Sequence, residues 1–390
     1  MSNQTLVIVE SATKAKTITK MLGKGFTVLA SYGHIYELIK KENAIDPNNN
    51  FKMQYQIVEK NAKHVNNIIN AAKKSNTLIL ATDPDREGEA IAYNVCELLQ
   101  DKKTYDHLNV QRCTFHQITK KAISEAIAYP KEINMDLVYA QHARRAMDFL
   151  LGFNLSPLLW RTVKPGTSAG RVQSPALHLI VQREKERNAF EKQEYWSIQC
   201  HTQTPDLEFA LHSINNEKVE KFTLTNEKSA KETQKAAFAK QATIEDISSK
   251  SRTRKPKAPF TTSTLQQAAA NRLGFPTAKT MKIAQELYEG IDIDGTQTGL
   301  ITYMRTDSVN IASEAIDAIR QMVSDTYGKE YIPSAPHVYS TKTKNAQEAH
   351  EAIRPSHIEY PPEEIQSYLS PEQFKIYQLI WQKAISSQMA

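Results

Sequence analysis

The chain has 390 residues, enough for about two to four domains at ~100–200 residues each. Its 49 basic and 43 acidic residues give a formal net charge of +6, which suits a polyanionic partner without establishing one. Three widely spaced cysteines exclude a disulfide framework and a cysteine zinc site. Without a signal peptide or a ~20-residue apolar run, the sequence predicts a cytoplasmic protein with no membrane contact.

The first 130 residues alternate apolar strands with helices. Residues 5–9 (TLVIV) and 77–81 (TLILA) are short apolar runs typical of buried parallel strands, and a helical pattern follows each of them. Residues 27–31 and 112–115 are further strand candidates. This alternation predicts a parallel α/β sheet, in which ligands bind at the carboxyl ends of the strands.

Carboxylates follow both apolar runs. Glu10 ends the first run, and Asp83, Asp85 and Glu87 alternate after the second. Oxygen ligands of this kind suit Mg²⁺, whereas an EF-hand calcium loop would need an acid where the sequence has Asn94. The alternative is an acidic helix start, in which carboxylates only favour the helix dipole. Three alternating acids after an apolar strand favour the metal site.

The middle of the chain combines a long helix with a second phosphate-binding candidate. Residues 136–153 have helical periodicity, with Arg144, Arg145 and Asp148 opposite the apolar side. Residues 168–170 (SAG) are small and precede a helix, and such residues let a phosphate approach backbone N–H groups. The alternative for these small residues is a tight contact between two helices.

Less regular segments connect this region to the C-terminal third. Residues 195–222 alternate polar and apolar side chains, which predicts antiparallel strands. Residues 250–257 carry five basic residues among eight and predict a solvated linker that can double as a hinge near DNA. Residues 290–299 are predicted to form a loop, and residues 371–390 an amphipathic helix.

Residues 300–308 (LITYMRTDS) place Tyr303 at the end of a short apolar run and beside polar residues. A phenol titrates near pH ~10 and is a poor nucleophile at neutral pH unless a cation stabilises the phenolate. Arg305, two residues later, can stabilise the phenolate and bind a phosphate. The segment therefore predicts a phosphate-attacking tyrosine, and the alternative is a surface tyrosine at the end of a strand.

Several long motifs resemble those of type IA DNA topoisomerases. VIVES (7–11) and DPDREGE (83–89) resemble the Toprim fold of these enzymes and of some primases, whereas LITYMRTDS resembles only the topoisomerase tyrosine segment. Met304 after the tyrosine favours the bacterial topoisomerase I branch. The resemblance runs from residue 5 to the end, and further matching motifs are FHQITK (115–120), SAGRVQS (168–174) and QEAHEAIRPS (347–356).

The resemblance implies a multidomain fold of class α/β plus α. It implies a Toprim-type parallel-sheet domain at residues 1–133, with a small excursion near 37–55 into the DNA-holding domain. A mainly helical domain that holds single-stranded DNA would follow at 134–189, and a partial, β-rich arch at 190–262. Residues 263–390 would form the helical domain that carries the active-site tyrosine.

The resemblance also assigns roles to residues of this sequence. Tyr303 would attack a DNA phosphate and leave a 5′-phosphotyrosine and a free 3′-hydroxyl, and Glu10 would protonate the departing 3′ oxygen. Mg²⁺ would assist the rejoining step. The implied catalytic residues are Tyr303, Glu10, Lys14 and Arg305, the implied Mg²⁺ ligands are Asp83, Asp85 and Glu87, and the implied DNA-binding residues are His34, Arg144, Arg145, Asp148, Phe153, Ser168, Arg171, Gln173, Thr306, Asp307 and His350.

The implied activity is ATP-independent, Mg²⁺-dependent relaxation of negatively supercoiled DNA. The partner would be a single-stranded segment of that DNA, and the protein a monomer associated with the nucleoid in the cytoplasm. Members of the family continue beyond the point that corresponds to residue 390, so we expect a truncated form that cleaves DNA without fully relaxing it. The alternatives are a non-catalytic or cleavage-only DNA-binding fragment and, more distantly, a Toprim nuclease or primase.

Overall fold

The computed structural model describes residues 4–203, 205–340 and 351–390. The chain divides into two compact units. The first comprises Met1–Ser168 and Arg254–Ala390, and the second comprises Ala169–Thr253. Within the described residues, no helix has the length and apolar character needed to cross a membrane. His350, one of the predicted DNA-binding residues, lies outside the described residues.

The N-terminal part of the first unit contains the predicted parallel α/β sheet. Strands β1, β2, β7 and β8 form this sheet in the order β2-β1-β7-β8, and every neighbouring pair is parallel. The strands of this part are β1 (Thr5–Val9), β2 (Phe26–Ala30), β3 (Tyr36–Leu38), β4 (Ile45–Asp46), β5 (Lys52–Met53), β6 (Tyr55–Ile57), β7 (Thr77–Leu80) and β8 (Asn109–Arg112). Its helices are α1 (Ala12–Leu22), α2 (Ala62–Ala72), α3 (Arg86–Asp101), α4 (Lys120–Ala128) and α5 (Met135–Thr162).

Helix α5 is longer than the predicted segment 136–153. It begins at Met135, after Asn134 accepts a hydrogen bond from the backbone N–H of Leu137, and it continues through Pro157 to Thr162. Proline removes one helical hydrogen bond and strains the preceding turn, so it lowers helix stability without ending every helix. The helix packs against α3.

The second unit is small and has little core. It contains α6 (Gln173–Asn188), in which no residue is buried, and α7 (Glu227–Phe238). The predicted strands of residues 195–222 reduce to two short antiparallel pairs, β9 (Gln199–His201) with β10 (Glu208–Ala210) and β11 (Ser213–Ile214) with β12 (Glu217–Lys218).

The C-terminal part of the first unit is mainly helical. It contains α8 (Thr262–Leu273), α9 (Thr277–Glu289), β13 (Ile291–Ile293), β14 (Thr296–Thr298), α10 (Ser313–Tyr327) and α11 (Pro371–Ser386). The predicted loop at residues 290–299 is wrong, because β13 and β14 pair as a hairpin. Asp294 and Gly295 turn the chain with φ angles of 49° and 78°, as the two central residues of a tight hairpin turn require.

The sheet is buried on both faces, and the alternation of side chains along each strand separates the two cores. Leu6 and Leu78 belong to a core that includes residues of α2 and α3. Val7 and Ile79, one residue later on each strand, belong to a larger core with α8–α11 and Tyr303. Burial of each such aliphatic side chain contributes about 1.5–3 kcal/mol. This second core packs the tyrosine segment, residues 300–308, against the sheet. Glu10 and Asp83 follow strands β1 and β7 of that same sheet.

Candidate active site

A buried lysine connects the ends of two neighbouring strands. Glu10 follows β1 and Asp83 follows β7, and these strands pair in parallel, so both carboxylates lie at one edge of the sheet. Ser11 caps α1 by accepting a hydrogen bond from the backbone N–H of Lys14. The Lys14 side chain is fully buried, and its Nζ lies 2.7 Å from Glu10 Oε1 and 3.0 Å from Asp83 Oδ1. The single positive charge of Lys14 therefore partly neutralises the negative charges of two carboxylates.

Charge at this edge remains incompletely balanced. Burial raises the pKa of Glu10 to about 8, and the neighbouring Asp83 carboxylate adds to this rise while Lys14 opposes it. Burial acts to lower the pKa of Lys14, but the Asp83 and Glu10 carboxylates outweigh burial and raise it overall. Glu10 Oε2 is buried and has no hydrogen-bond partner among the described residues. The edge therefore favours additional positive charge or a proton.

The loop after β7 is held close to the start of α3. Asp85 caps this helix by accepting a hydrogen bond of 2.8 Å from the backbone N–H of Gly88. Thr82 Oγ1 donates to Gly88 O at 2.6 Å. A Cβ atom at Gly88 would lie 2.2 Å from Asp83 O, so only glycine fits this close approach. Glycine thus allows Asp83 and Asp85 to lie on one tight turn.

Arg112, at the end of β8, supports the loop from behind. Its side chain is 1% exposed, and its Nε donates to Glu89 Oε2 at 2.8 Å. Its remaining guanidinium donors bind the carbonyl oxygens of Leu80, Thr82, Asp83 and Cys113 at 2.8–2.9 Å. Sequence reasoning missed this residue, because a single arginine in a strand gives no sign that it is buried.

The tyrosine meets the acidic loop directly. Tyr303 Oη donates a hydrogen bond of 2.8 Å to Asp85 Oδ2, and the whole residue is 2% exposed. Burial raises the pKa of Tyr303 well above its ordinary value, the Asp83 and Asp85 carboxylates raise it further, and Arg305 opposes them. The phenol is therefore neutral in this arrangement, and Asp85 is the acceptor for its proton.

Arg305 lies over the outer carboxylates of the loop. Its Nη1 is 3.0 Å from Glu87 Oε2 and 3.4 Å from Asp85 Oδ2. The other oxygen of this carboxylate, Glu87 Oε1, lies 3.4 Å from His34 Nε2. The hydrogen bond from His34 lowers the pKa of Glu87 to about 2, and Arg305 adds to this effect against the opposing effect of burial. Glu87 is therefore ionised across the physiological range.

Contacts from distant segments position the tyrosine backbone. The N–H of Tyr303 donates to His116 O at 2.7 Å, and the N–H of Thr302 donates to Arg354 O at 2.9 Å. The Tyr288 ring packs edge-on against the Tyr303 ring at 5.2 Å. Thr262 Oγ1, at the start of α8, donates to Met304 O at 2.7 Å. Four separate parts of the chain thus contact Tyr303 or its immediate neighbours.

Two cavities open onto this cluster. The first, of about 480 Å³, is lined by His34, Asp85, Arg86, Glu87, Gln141, Arg144, Thr262, Arg305, Thr306 and Asp307. The second, of about 360 Å³, reaches all four carboxylates through Glu10, Asp83, Asp85 and Glu87, together with Lys282, Gln285 and Arg305. Both volumes fall within or near the ~300–1,000 Å³ typical of ligand sites.

Comparison with known proteins identifies the family of this chain. A family model described as DNA topoisomerase matches residues 132–390, and a Toprim domain model matches residues 5–118. The chain belongs to the type IA DNA topoisomerases. The predicted family and the predicted class, a Toprim-type parallel sheet with helical domains, are therefore confirmed.

Individual relatives of this topoisomerase chain are similar over nearly all of its length. DNA topoisomerase 1 of Xylella fastidiosa (strain 9a5c) is 51% identical over 98% of this chain and 48% of that protein. DNA topoisomerase 1 of Rickettsia bellii (strain RML369-C) is 48% identical, with the same two coverages. The full-length topoisomerase I structure from Thermotoga maritima is 36% identical with a TM-score of 0.79, covering 98% of this chain and 61% of that one. The chain thus spans about half the length of these relatives.

The predicted DNA-binding residues of the first unit fall into two groups. Residues His34, Arg144, Thr306 and Asp307 line the larger active-site cavity with Arg305. Arg145, Asp148, Phe153 and Ser168 do not line this cavity, and the DNA-binding roles of all the candidates stay predictions. Arg145 lies over the Tyr55 ring, Asp148 is 4.0 Å from Arg144, Phe153 stacks on Phe149, Ser168 ends a segment of the first unit, and Arg171 and Gln173 belong to the second unit. Sequence reasoning had not assigned Gln141 or Thr262 to the site.

The predicted Mg²⁺ ligands Asp83, Asp85 and Glu87 line one cavity together with Glu10, and their role stays a prediction. Within the described residues, no three His, Cys, Asp or Glu side chains are arranged to hold a metal ion. Lys14 contacts Asp83, and Arg305 contacts Asp85 and Glu87. The donor chemistry fits a hard cation, because four carboxylates line this cavity and Glu10 Oε2 has no hydrogen-bond partner among the described residues.

Proposed function

We propose that this chain is the DNA-cleaving part of a type IA topoisomerase and forms a covalent bond between Tyr303 and a single DNA strand. The observation that carries the proposal is the 2.8 Å contact between Tyr303 Oη and Asp85 Oδ2, two residues 218 positions apart in the sequence. A fold that buries a tyrosine against a carboxylate cluster, beside an arginine and an open cavity, suits nucleophilic attack on a phosphate.

The proposed cleavage step moves two protons, one from the attacking tyrosine and one to the leaving 3′ oxygen. Tyr303 gives its proton to Asp85 as its oxygen bonds to phosphorus, and the bond from phosphorus to the 3′ oxygen breaks. Glu10 gives a proton to that leaving oxygen and takes it back on rejoining. The products are a 5′-phosphotyrosine and a 3′-hydroxyl, and no nucleotide is needed because the covalent link conserves the energy of the phosphodiester.

Arg305 and Lys14 are the cations that we propose to stabilise the charge that develops on the phosphate. Arg305 borders both cavities, and Lys14 lies between Glu10 and Asp83. A well-placed donor of this kind is worth about 3–4 kcal/mol in the transition state. Arg305 is 3.0 Å from Glu87 in this structure. When a phosphate binds, Arg305 would leave the Glu87 carboxylate and contact the phosphate instead.

Asp83, Asp85 and Glu87 are the proposed ligands of Mg²⁺. A bound Mg²⁺ would supply positive charge that neutralises these carboxylates and favours the rejoining step. The support for this proposal is the all-oxygen donor set and the unpartnered Glu10 Oε2 in the same cavity. Glu10, Lys14 and the backbone contacts of Arg112 would keep the loop in position around it.

The proposed partner is a single-stranded segment of negatively supercoiled DNA, bound by a monomer at the bacterial nucleoid. The cavity with His34, Arg144, Thr306 and Asp307 is the proposed contact for its backbone. The proposed overall activity is ATP-independent relaxation of this DNA, and cleavage and rejoining are the steps assigned to the residues described above.

The test is covalent capture of a labelled single-stranded oligonucleotide in the presence of Mg²⁺. We expect a denaturing gel to show a protein–DNA adduct for the unchanged chain and none for Tyr303→Phe. Tyr327→Phe, at an exposed tyrosine of α10, is the matched control and should form the adduct normally. An adduct that persists in Tyr303→Phe rules out this nucleophile, and metal-dependent hydrolysis by that variant would indicate a Toprim nuclease instead.

A further inference from the structure

A basic groove lies on the helical part of the first unit, outside the tyrosine site. It has a volume of about 700 Å³, and Lys257, Arg272 and Lys383 supply its charges. Its polar lining includes the amides Gln267, Asn271 and Gln382 and the hydroxyls Thr261, Thr264 and Ser386. None of the described residues that line it is Asp or Glu. The groove is therefore built from cations and neutral donors.

The three cations come from separate parts of the chain and meet only in the fold. Lys257 is the last residue of the basic segment 250–257, Arg272 lies in the last turn of α8, and Lys383 lies in the last turn of α11. Lys383 Nζ donates to Lys257 O at 3.2 Å, which attaches the end of the basic segment to α11. The Lys383 ammonium also lies 5.9 Å from the Phe260 ring centroid.

The described part of the chain provides no acidic partner for these charges. Among the residues that the structure describes, no carboxylate lies within 4.0 Å of any of the three cations. Burial lowers the pKa of Lys383, and the charges of Lys257 and Arg272 lower it further. Clustered cations without counter-charges repel one another, so a bound anion would relieve a real electrostatic cost.

The first turn of α8 connects the groove to the segment that carries Tyr303. Thr262 lines the larger active-site cavity and donates to Met304 O, whereas Thr261 and Thr264 line the basic groove. Residues of the same helical turn therefore line both cavities.

We infer that the basic groove binds the phosphodiester backbone of nucleic acid at a position beyond the cleaved linkage. The three cations supply the phosphate contacts, and the amides and hydroxyls supply neutral donors to sugar and phosphate oxygens. Phe260 is the one aromatic residue among the described residues of the lining, and it is buried, which favours contact with the backbone over stacking on bases. The inference deepens the proposed function and uses a different part of the chain.

The test is the salt dependence of binding by the full 390-residue chain. A fluorescein-labelled single-stranded oligonucleotide, long enough to extend past the tyrosine site, is titrated by anisotropy at several salt concentrations. We expect Arg272→Gln and Lys383→Gln each to reduce the slope of log Kd against log salt by ~0.7, the value for one phosphate contact on a single strand. Lys375→Gln, an exposed lysine of α11 outside the groove, is the control and should leave the slope unchanged.

Inorganic pyrophosphate distinguishes a DNA contact from a free-anion site. Unchanged slopes in both groove variants, with unaltered thermal melting, would overturn the inference. Pyrophosphate binding that both variants lose while their DNA slopes stay normal would also overturn it, because the site would then serve a free anion. Tyr303→Phe should keep the full slope. If the unchanged chain forms no adduct while the groove variants still lower its slope, the cleavage mechanism alone is refuted.

Discussion

The catalytic cluster and the basic groove use the same kinds of cation in opposite ways. In the cluster, Lys14 and Arg305 are each within 3.4 Å of two carboxylates. In the groove, Lys383 has two cationic neighbours, and no acid lines the cavity. Paired charges hold side chains in a fixed arrangement for chemistry, whereas unpaired charges leave a surface ready for a polyanion. Removal of a cation should therefore have very different consequences at the two places.

Replacement of Lys14 should give the largest effect. Lys14→Met leaves Glu10 and Asp83 facing each other without their shared cation, which should reduce the free energy of unfolding by about 3–5 kcal/mol. Urea denaturation followed by circular dichroism measures this loss. Lys16→Met on the exposed side of the same helix is the control, and a comparable loss there would mean that the effect belongs to the helix rather than to the buried pairs.

Replacement of Arg305 should separate catalysis from stability. Its side chain is 52% exposed, so Arg305→Gln should change the unfolding free energy by only ~1 kcal/mol or less. The rate of covalent adduct formation should fall about 10²–10³-fold, because a donor to the developing phosphate charge is lost. Single-turnover cleavage of a labelled oligonucleotide measures this rate. A normal cleavage rate in this variant would remove Arg305 from the mechanism.

Replacement of Lys383 should give the smallest effect on stability. Lys383→Gln removes a cation that has no acidic partner and that burial already disfavours, so we expect the unfolding free energy to change by less than ~0.5 kcal/mol. The same urea denaturation measures it beside the Lys14 variant. A loss of several kcal/mol would show that the groove lysine has a structural role. It would contradict the expected difference between the catalytic cluster and the basic groove.

Much of the catalytic cluster could be predicted from local sequence. Glu10 and Asp83 each follow an apolar run of about five residues, and neighbouring parallel strands bring such ends together. Tyr303 followed by Arg305 indicated phosphate chemistry from one short segment. The Asp294-Gly295 pair also signalled a hairpin, and the prediction of a loop there missed it.

Other features depend on contacts between distant segments. Arg112 supports the acidic loop through four backbone carbonyls, a role invisible in the sequence of β8. Asp83, Asp85 and Glu87 line one cavity, but the sequence did not indicate that Lys14 and Arg305 would bind their oxygens. The groove cations Arg272 and Lys383 are too far apart in sequence to suggest one site.

The sequence alone determined which chemistry is available, because strand ends, alternating acids and the tyrosine with its arginine are local patterns. It also determined the sheet, since apolar periodicity sets which side chains can be buried. Only the tertiary structure decided which charges meet. The partner of Tyr303 lies 218 residues away, and such a pairing depends on how two cores pack on opposite faces of one sheet.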